Sequence, residues 1–91
     1  MKFKITIHGR SGAPPDALDL LWEALGTSRD DVRFSRPGLA IIATWMSEAP
    51  VTMERDERKE VGRTMVWDVV RDVCDGAAGL RSNWFAVSPQ S

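Results

Sequence analysis

The sequence predicts an α+β domain in which four strands and two helices follow one another in the order β-α-β-β-α-β. Residues 2–8 alternate apolar and polar side chains as strands do, and residues 39–46 form a short apolar run. Two other segments, which end near Gly26 and Cys74, repeat apolar side chains at helical spacing. With 91 residues, 43% of them hydrophobic and 27% charged, the chain has the composition of one small globular domain, spanning residues 1–91.

The first strand and first helix have clear boundaries. In residues 2–8, one side of the strand carries only apolar side chains, namely Phe3, Ile5 and Ile7. The helix is expected to begin within residues 13–16, because proline is tolerated in a first turn and Asp16 complements the positive helix end. Gly26 is expected to end this helix. Its apolar stripe is formed by Leu18, Leu21, Trp22 and Leu25.

The middle of the chain predicts two strands joined by a turn. Residues 31–35 form the shorter strand, and the Pro37-Gly38 pair is typical of a turn. Residues 39–46 form the strongest strand, and its two sides both carry apolar side chains. One row holds Leu39, Ile41, Ala43 and Trp45, and the other holds Ala40, Ile42, Thr44 and Met46. Such a strand is typical of a central position that is covered on both sides.

The second helix is expected to run from an N-cap at Thr52 to about Cys74, and residues 83–88 are expected to form the last strand. Gly62 lies on the apolar stripe of this helix, where glycine costs about 1 kcal/mol relative to alanine. Its presence indicates a close approach of the helix to the sheet. The whole stripe consists of Gly62, Val66, Val69, Val70 and Val73.

This order of elements resembles the ferredoxin-like, split β-α-β arrangement. Right-handed crossovers then imply a four-stranded antiparallel sheet with strand order 4-1-3-2 and both helices on one face. One apolar row of residues 39–46 would therefore lie on the face without helices. An apolar patch beside polar residues is typical of a binding surface. The predicted binding residues are Thr6, His8, Ile42, Thr44, Met46 and Trp84.

Three alternatives explain such a face. It can be the interface of a homodimer or a higher oligomer, which would bury the apolar patch without requiring a ligand or a reaction. It can hold a small ligand or a peptide, including in a cavity enclosed by two subunits. It can also be covered within the chain by loops and by residues 75–82.

The chain offers few groups for catalysis or metal binding. His8, its single histidine, is a candidate general base at the end of the first strand. The following turn is a candidate anion loop, because backbone amides and an arginine suit an anion; it consists of Gly9, Arg10, Ser11 and Gly12. The single cysteine, Cys74, has no ligand spacing with His8, so no metal or cofactor is expected, and it is interpreted as a small buried residue.

Charge and composition also exclude some classes of function. The net charge of -1 argues against nucleic-acid binding, and the chain contains no apolar run of about 20 residues that would span a membrane. One cysteine and a first segment unlike a signal peptide lead us to expect a reducing, cytoplasmic location.

The sequence favours a non-enzymatic binding or assembly module that oligomerises or binds a partner through the open sheet face. The alternative is a small cofactor-free enzyme like the dimeric α+β barrel monooxygenases and cyclases, an analogy of fold alone. In that alternative, a cavity between the sheet and a partner subunit would be lined by His8, Trp45, Asn83 or Trp84.

Overall fold

The computed structural model describes residues 1–29, 31–46 and 53–90. It has an α+β fold with a five-stranded antiparallel sheet and two α-helices. A 3-10 turn, Ser82–Trp84, precedes the last strand. In chain order, the strands and helices are β1 (Lys2–Ile7), α1 (Ala17–Leu25), β2 (Ser28–Arg29), β3 (Val32–Ser35), β4 (Ile41–Trp45), α2 (Arg55–Gly76) and β5 (Phe85–Pro89).

The sheet has the strand order β2-β3-β4-β1-β5. The four strands predicted from the sequence are present as β1, β3, β4 and β5, but the predicted count of four is wrong. The strand β2 adds a fifth at the edge, so the order of the whole sheet differs from 4-1-3-2. It pairs Ser28 with Arg33 and Arg29 with Val32. Two residues are too short to show an alternation, which is why the pattern did not reveal them.

The register of the strands places one apolar face of the sheet beneath the helices. Ala43 of β4 pairs with Phe3 on one side and Phe34 on the other. Two residues along β1, Ile5 pairs with Ile41 on one side and with Val87 on the other, on the same face of the sheet as Ala43. These side chains are buried together with apolar residues of both helices, which include Ala17, Leu21, Leu25, Val66, Val70 and Val73. The core therefore lies between this face and the two helices.

The helix α1 begins at Ala17, just after the predicted start within residues 13–16, with Asp16 at its N-cap. It buries Ala17, Leu21 and Leu25, while Leu20 on the other side stays exposed. Gly26 has a φ of 73° and its N–H donates to the Trp22 carbonyl, so it ends the helix as predicted.

The helix α2 packs tightly on the sheet at Gly62. A Cβ atom at this position would lie 2.6 Å from Cζ of Phe3 and 2.8 Å from Cε3 of Trp45, so the predicted close approach is confirmed. The helix continues past Cys74 to Gly76, with Glu54 at its N-cap, whereas Thr52 lies outside the described residues. In the described part of the chain, no helix is long and apolar enough to cross a bilayer.

Candidate functional site

The helices leave one face of the sheet uncovered, and we call it the open face. Along each strand, its residues alternate with the residues that point into the core. It carries three of the predicted binding residues, Thr6, Ile42 and Thr44. Strand by strand, the open face consists of Lys2, Lys4 and Thr6 of β1, Arg33 and Ser35 of β3, Ile42 and Thr44 of β4, and Ala86 and Ser88 of β5.

The open face is less apolar than the sequence suggests. Ile42 is only 9% exposed and lies in register between Lys4 and Ser35. The exposed apolar residues Met46 and Leu39, at 55% and 88%, flank opposite ends of β4. A strand rise of about 3.4 Å per residue separates them by roughly 24 Å, so they do not form one patch. The surface is a mixed one, with Met46 as the exposed apolar residue at one end.

The charges of the open face are cationic. Lys2 and Arg33 flank Thr44 in register, about 10 Å apart at two strand spacings, and Lys4 lies diagonally beside them. The five strands contain four Lys or Arg residues and no Asp or Glu. The two helices contain eight Asp or Glu residues against five Lys or Arg residues. Asp31, just before β3, is an exposed carboxylate at the edge of this cationic surface.

Two amides of the predicted anion loop after β1, and the Ala13 amide that follows it, donate to acceptors within the same segment. The Arg10 N–H donates to Nδ1 of His8 at 3.4 Å, and the Ser11 N–H donates to the His8 carbonyl at 3.2 Å. Ser11 Oγ donates to the same carbonyl at 2.7 Å and accepts the Ala13 N–H at 3.3 Å. Three amides of the segment thus already have acceptors, and α1 begins only at Ala17. The structure places His8 beside this loop, and anion binding by residues 9–12 stays a prediction.

Trp84 lies in the 3-10 turn before β5, outside the strand in which the sequence placed it. Its ring meets the Phe85 ring edge-on, with centroids 6.4 Å apart, and packs against the core. Its carbonyl accepts the His8 N–H at 2.7 Å. The turn interrupts the two-residue alternation, so Trp84 does not extend the row that contains Ala86.

The residues of the enzymatic alternative are not brought together around a cavity. Trp45 is 7% exposed and faces the helices, and its Nε1 has no hydrogen-bond partner among the described residues. Three surface grooves lie among the described residues, and none of the three is lined by His8, Trp45, Asn83 or Trp84. Within residues 1–29, 31–46 and 53–90, no three His, Cys, Asp or Glu side chains are arranged to hold a metal ion.

Cys74 is buried against the core at 3% exposure. Burial raises the pKa of its thiol from 9.0 to about 11, and the neighbouring Asp75 carboxylate adds to the shift. A raised pKa keeps the thiol protonated at neutral pH, the opposite of the lowered pKa that activates a nucleophilic cysteine. The interpretation of Cys74 as a small buried residue is confirmed.

Two of the surface grooves differ in charge. One lies between the end of α1, β2 and α2, and its charged residues have both signs: Arg29, Asp68, Arg71, Asp72 and Asp75. The other lies at the start of α2, and the charged residues that line it in the described part of the chain are all cations: Lys2, Arg55, Arg58 and Lys59. Sequence reasoning missed this second groove because Lys2 lies far along the chain from the three cations of α2. The helical spacing of the other three cations was the available signal.

Comparisons of this chain with protein-family models, with curated proteins and with solved structures gave no match.

Proposed function

We propose that this chain is a non-enzymatic binding module whose open face docks an acidic, partly apolar segment of a partner protein. The observation that carries the proposal is the segregation of charge. Lys2 and Arg33 flank Thr44, Lys4 lies beside the buried Ile42, and the exposed Met46 follows at the end of the same strand. A segment with carboxylates around an aliphatic side chain is complementary to this arrangement, because it neutralises the cations while burying apolar area.

We further infer that the domain is a ferredoxin-like fold with one added edge strand. The order β3-β4-β1-β5 is that of a four-stranded split β-α-β sheet, and β2 extends it by a single short pairing. In this fold the sheet face without helices is free for binding. The single cysteine supports a cytoplasmic location for the module.

A second copy of the chain fits the open face less well than an acidic segment. A two-fold interface would bring Lys2, Lys4 and Arg33 against the same cations of the other copy. The face itself spans about four strand spacings by five residues, on the order of 330 Å². A footprint of this size accommodates a short peptide segment.

Nucleic acid also fits less well than an acidic protein segment. Proteins that read single strands on a sheet stack the bases on aromatic side chains. Among the described residues that form the open face, none is aromatic, and Trp45 and Phe34 point into the core. The overall charge of -1 likewise provides no long-range attraction for a polyanion.

Selection of displayed random peptides on the immobilised chain tests the proposal without knowledge of the partner. We expect the enriched peptides to combine several Asp or Glu residues with at least one large aliphatic residue. Their binding should weaken as salt is added, because the cations are exposed. Enrichment of basic or uncharged peptides, preference for oligonucleotides in a parallel selection, or self-association that excludes peptides would each contradict it.

A further inference from the structure

The groove at the start of α2, which we call the cationic groove, is a second surface of uniform charge. Its polar side chains are Lys2 from β1, Arg55, Arg58 and Lys59 from α2, and Gln90 after β5. Among the residues that the structure describes, no carboxylate lines it. We propose that the cationic groove binds a small anion that carries two or more phosphoryl groups. This site is separate from the docking function of the open face, although Lys2 borders both.

The helix places three of these cations on one side. Arg55, Arg58 and Lys59 are spaced i, i+3 and i+4, which are neighbouring positions on a helix surface. The acidic residues of the same stretch, Asp56 and Glu57, lie at intervening positions and do not line the groove. The three cations of residues 55–59 therefore line the groove, whereas the two carboxylates between them do not.

The cations on this side of α2 repel one another. Arg55 lies at i, i+3 and i, i+4 from Arg58 and Lys59, and like charges at these spacings destabilise a helix, whereas Asp56 and Glu57 in the first turn complement the positive helix N-terminus. The first turn is nevertheless formed, since the Arg58 N–H donates to the Glu54 carbonyl at 2.9 Å. A bound anion would reduce the repulsion among these cations.

The other arginines of α2 have carboxylate partners. Arg63 pairs with Glu60 at 3.3 Å, and Arg71 pairs with Asp68 at 3.0 Å. Across the described residues, Arg55, Arg58, Lys59 and Lys2 form no ion pair within 4.0 Å. Arg63 and Arg71 therefore provide matched controls on the same helix.

The dimensions of the groove favour an oligophosphate over a single phosphate. A rise of 1.5 Å per residue sets Arg55 and Lys59 about 6 Å apart along the helix axis. Adjacent phosphoryl groups span such a row, and arginine binds phosphate oxygens through two parallel N–H donors. On the opposite side, the Gln90 N–H donates to the Lys2 carbonyl at 2.9 Å and fixes the backbone from which Lys2 extends.

Calorimetric titration with tripolyphosphate and with inorganic phosphate tests this site. We expect tripolyphosphate to bind more tightly than phosphate, and Arg58→Gln/Lys59→Gln to weaken it about ten- to hundredfold. The control Arg63→Gln/Arg71→Gln has the same net charge and should keep the affinity. Amide resonances of residues 55–59 should shift on binding. Absence of tripolyphosphate binding, or equal weakening by both variants, would overturn the proposal. Neither variant changes the open-face residues Lys4 and Arg33. Failure of phosphate binding in the cationic groove can therefore be distinguished from failure of peptide docking on the open face.

Discussion

Replacing Gly62 by alanine is expected to lower the free energy of unfolding by about 1 kcal/mol. The added Cβ would lie 2.6 Å from Cζ of Phe3 and 2.8 Å from both Cε2 of Phe3 and Cε3 of Trp45. Both rings are buried, so the helix or the rings must move, and overpacking of this kind costs about 1–3 kcal/mol. This cost outweighs the roughly 1 kcal/mol by which alanine normally improves a helix. Urea unfolding followed by tryptophan fluorescence measures the difference.

Gly76→Ala is the matched control for this substitution. Gly76 is the last residue of the same helix, and a Cβ there meets nothing within 4 Å. We expect Gly76→Ala to leave the stability unchanged or to raise it by up to about 1 kcal/mol. If Gly62→Ala behaved in the same way, the close approach of α2 to β1 and β4 would be wrong.

Replacing Phe3 by alanine is expected to lower the free energy of unfolding by about 3–5 kcal/mol. Phe3 has no exposed surface, and its ring fills the space between Ala43 and Gly62. Truncation removes the buried ring and leaves a cavity that the sheet cannot fully close. A chain of this size has a total stability of only about 5–14 kcal/mol, so the midpoint of thermal unfolding should fall steeply.

Leu39→Ala is the control for Phe3→Ala, because Leu39 is 88% exposed and its loss should change stability by no more than about 0.5 kcal/mol. The double variant Phe3→Ala/Gly62→Ala should be less destabilised than the sum of the two single variants. The methyl group of Ala at position 62 would occupy part of the cavity, so the two changes are coupled. Strict additivity would show that the two residues are not in contact.

Local patterns predicted the main elements of this fold. The alternation of residues 2–8 predicted a strand and its buried side. The stripe containing Gly62 predicted a helix, its buried side and its close approach to the sheet. The strand β2 was missed because its existence depends on the long-range pairing of Ser28 with Arg33, which no local period encodes. Likewise, the end of α2 lies beyond Cys74, because the glycine at position 76 is tolerated in the last turn.

The candidate site was harder to predict than the fold. Both sides of residues 39–46 carry apolar side chains, so the sequence alone could not say which row faces the helices. The register of Ala43 between Phe3 and Phe34 decides this, and it turns Ile42 toward the open face. The cationic character of that face comes from Lys2 and Arg33, which are brought together only by pairing with the same strand.

The most direct measurement of the central claim is the affinity of a selected acidic peptide for the variant Lys4→Glu/Arg33→Glu, measured by fluorescence anisotropy. The control Arg63→Glu/Arg71→Glu changes the net charge equally on the helical side. If the peptide docks on the open face, the first variant should bind about tenfold or more weakly, with the difference shrinking as salt is added, and the control should bind nearly as the wild type does. Equal affinities of the two variants would contradict docking on the open face.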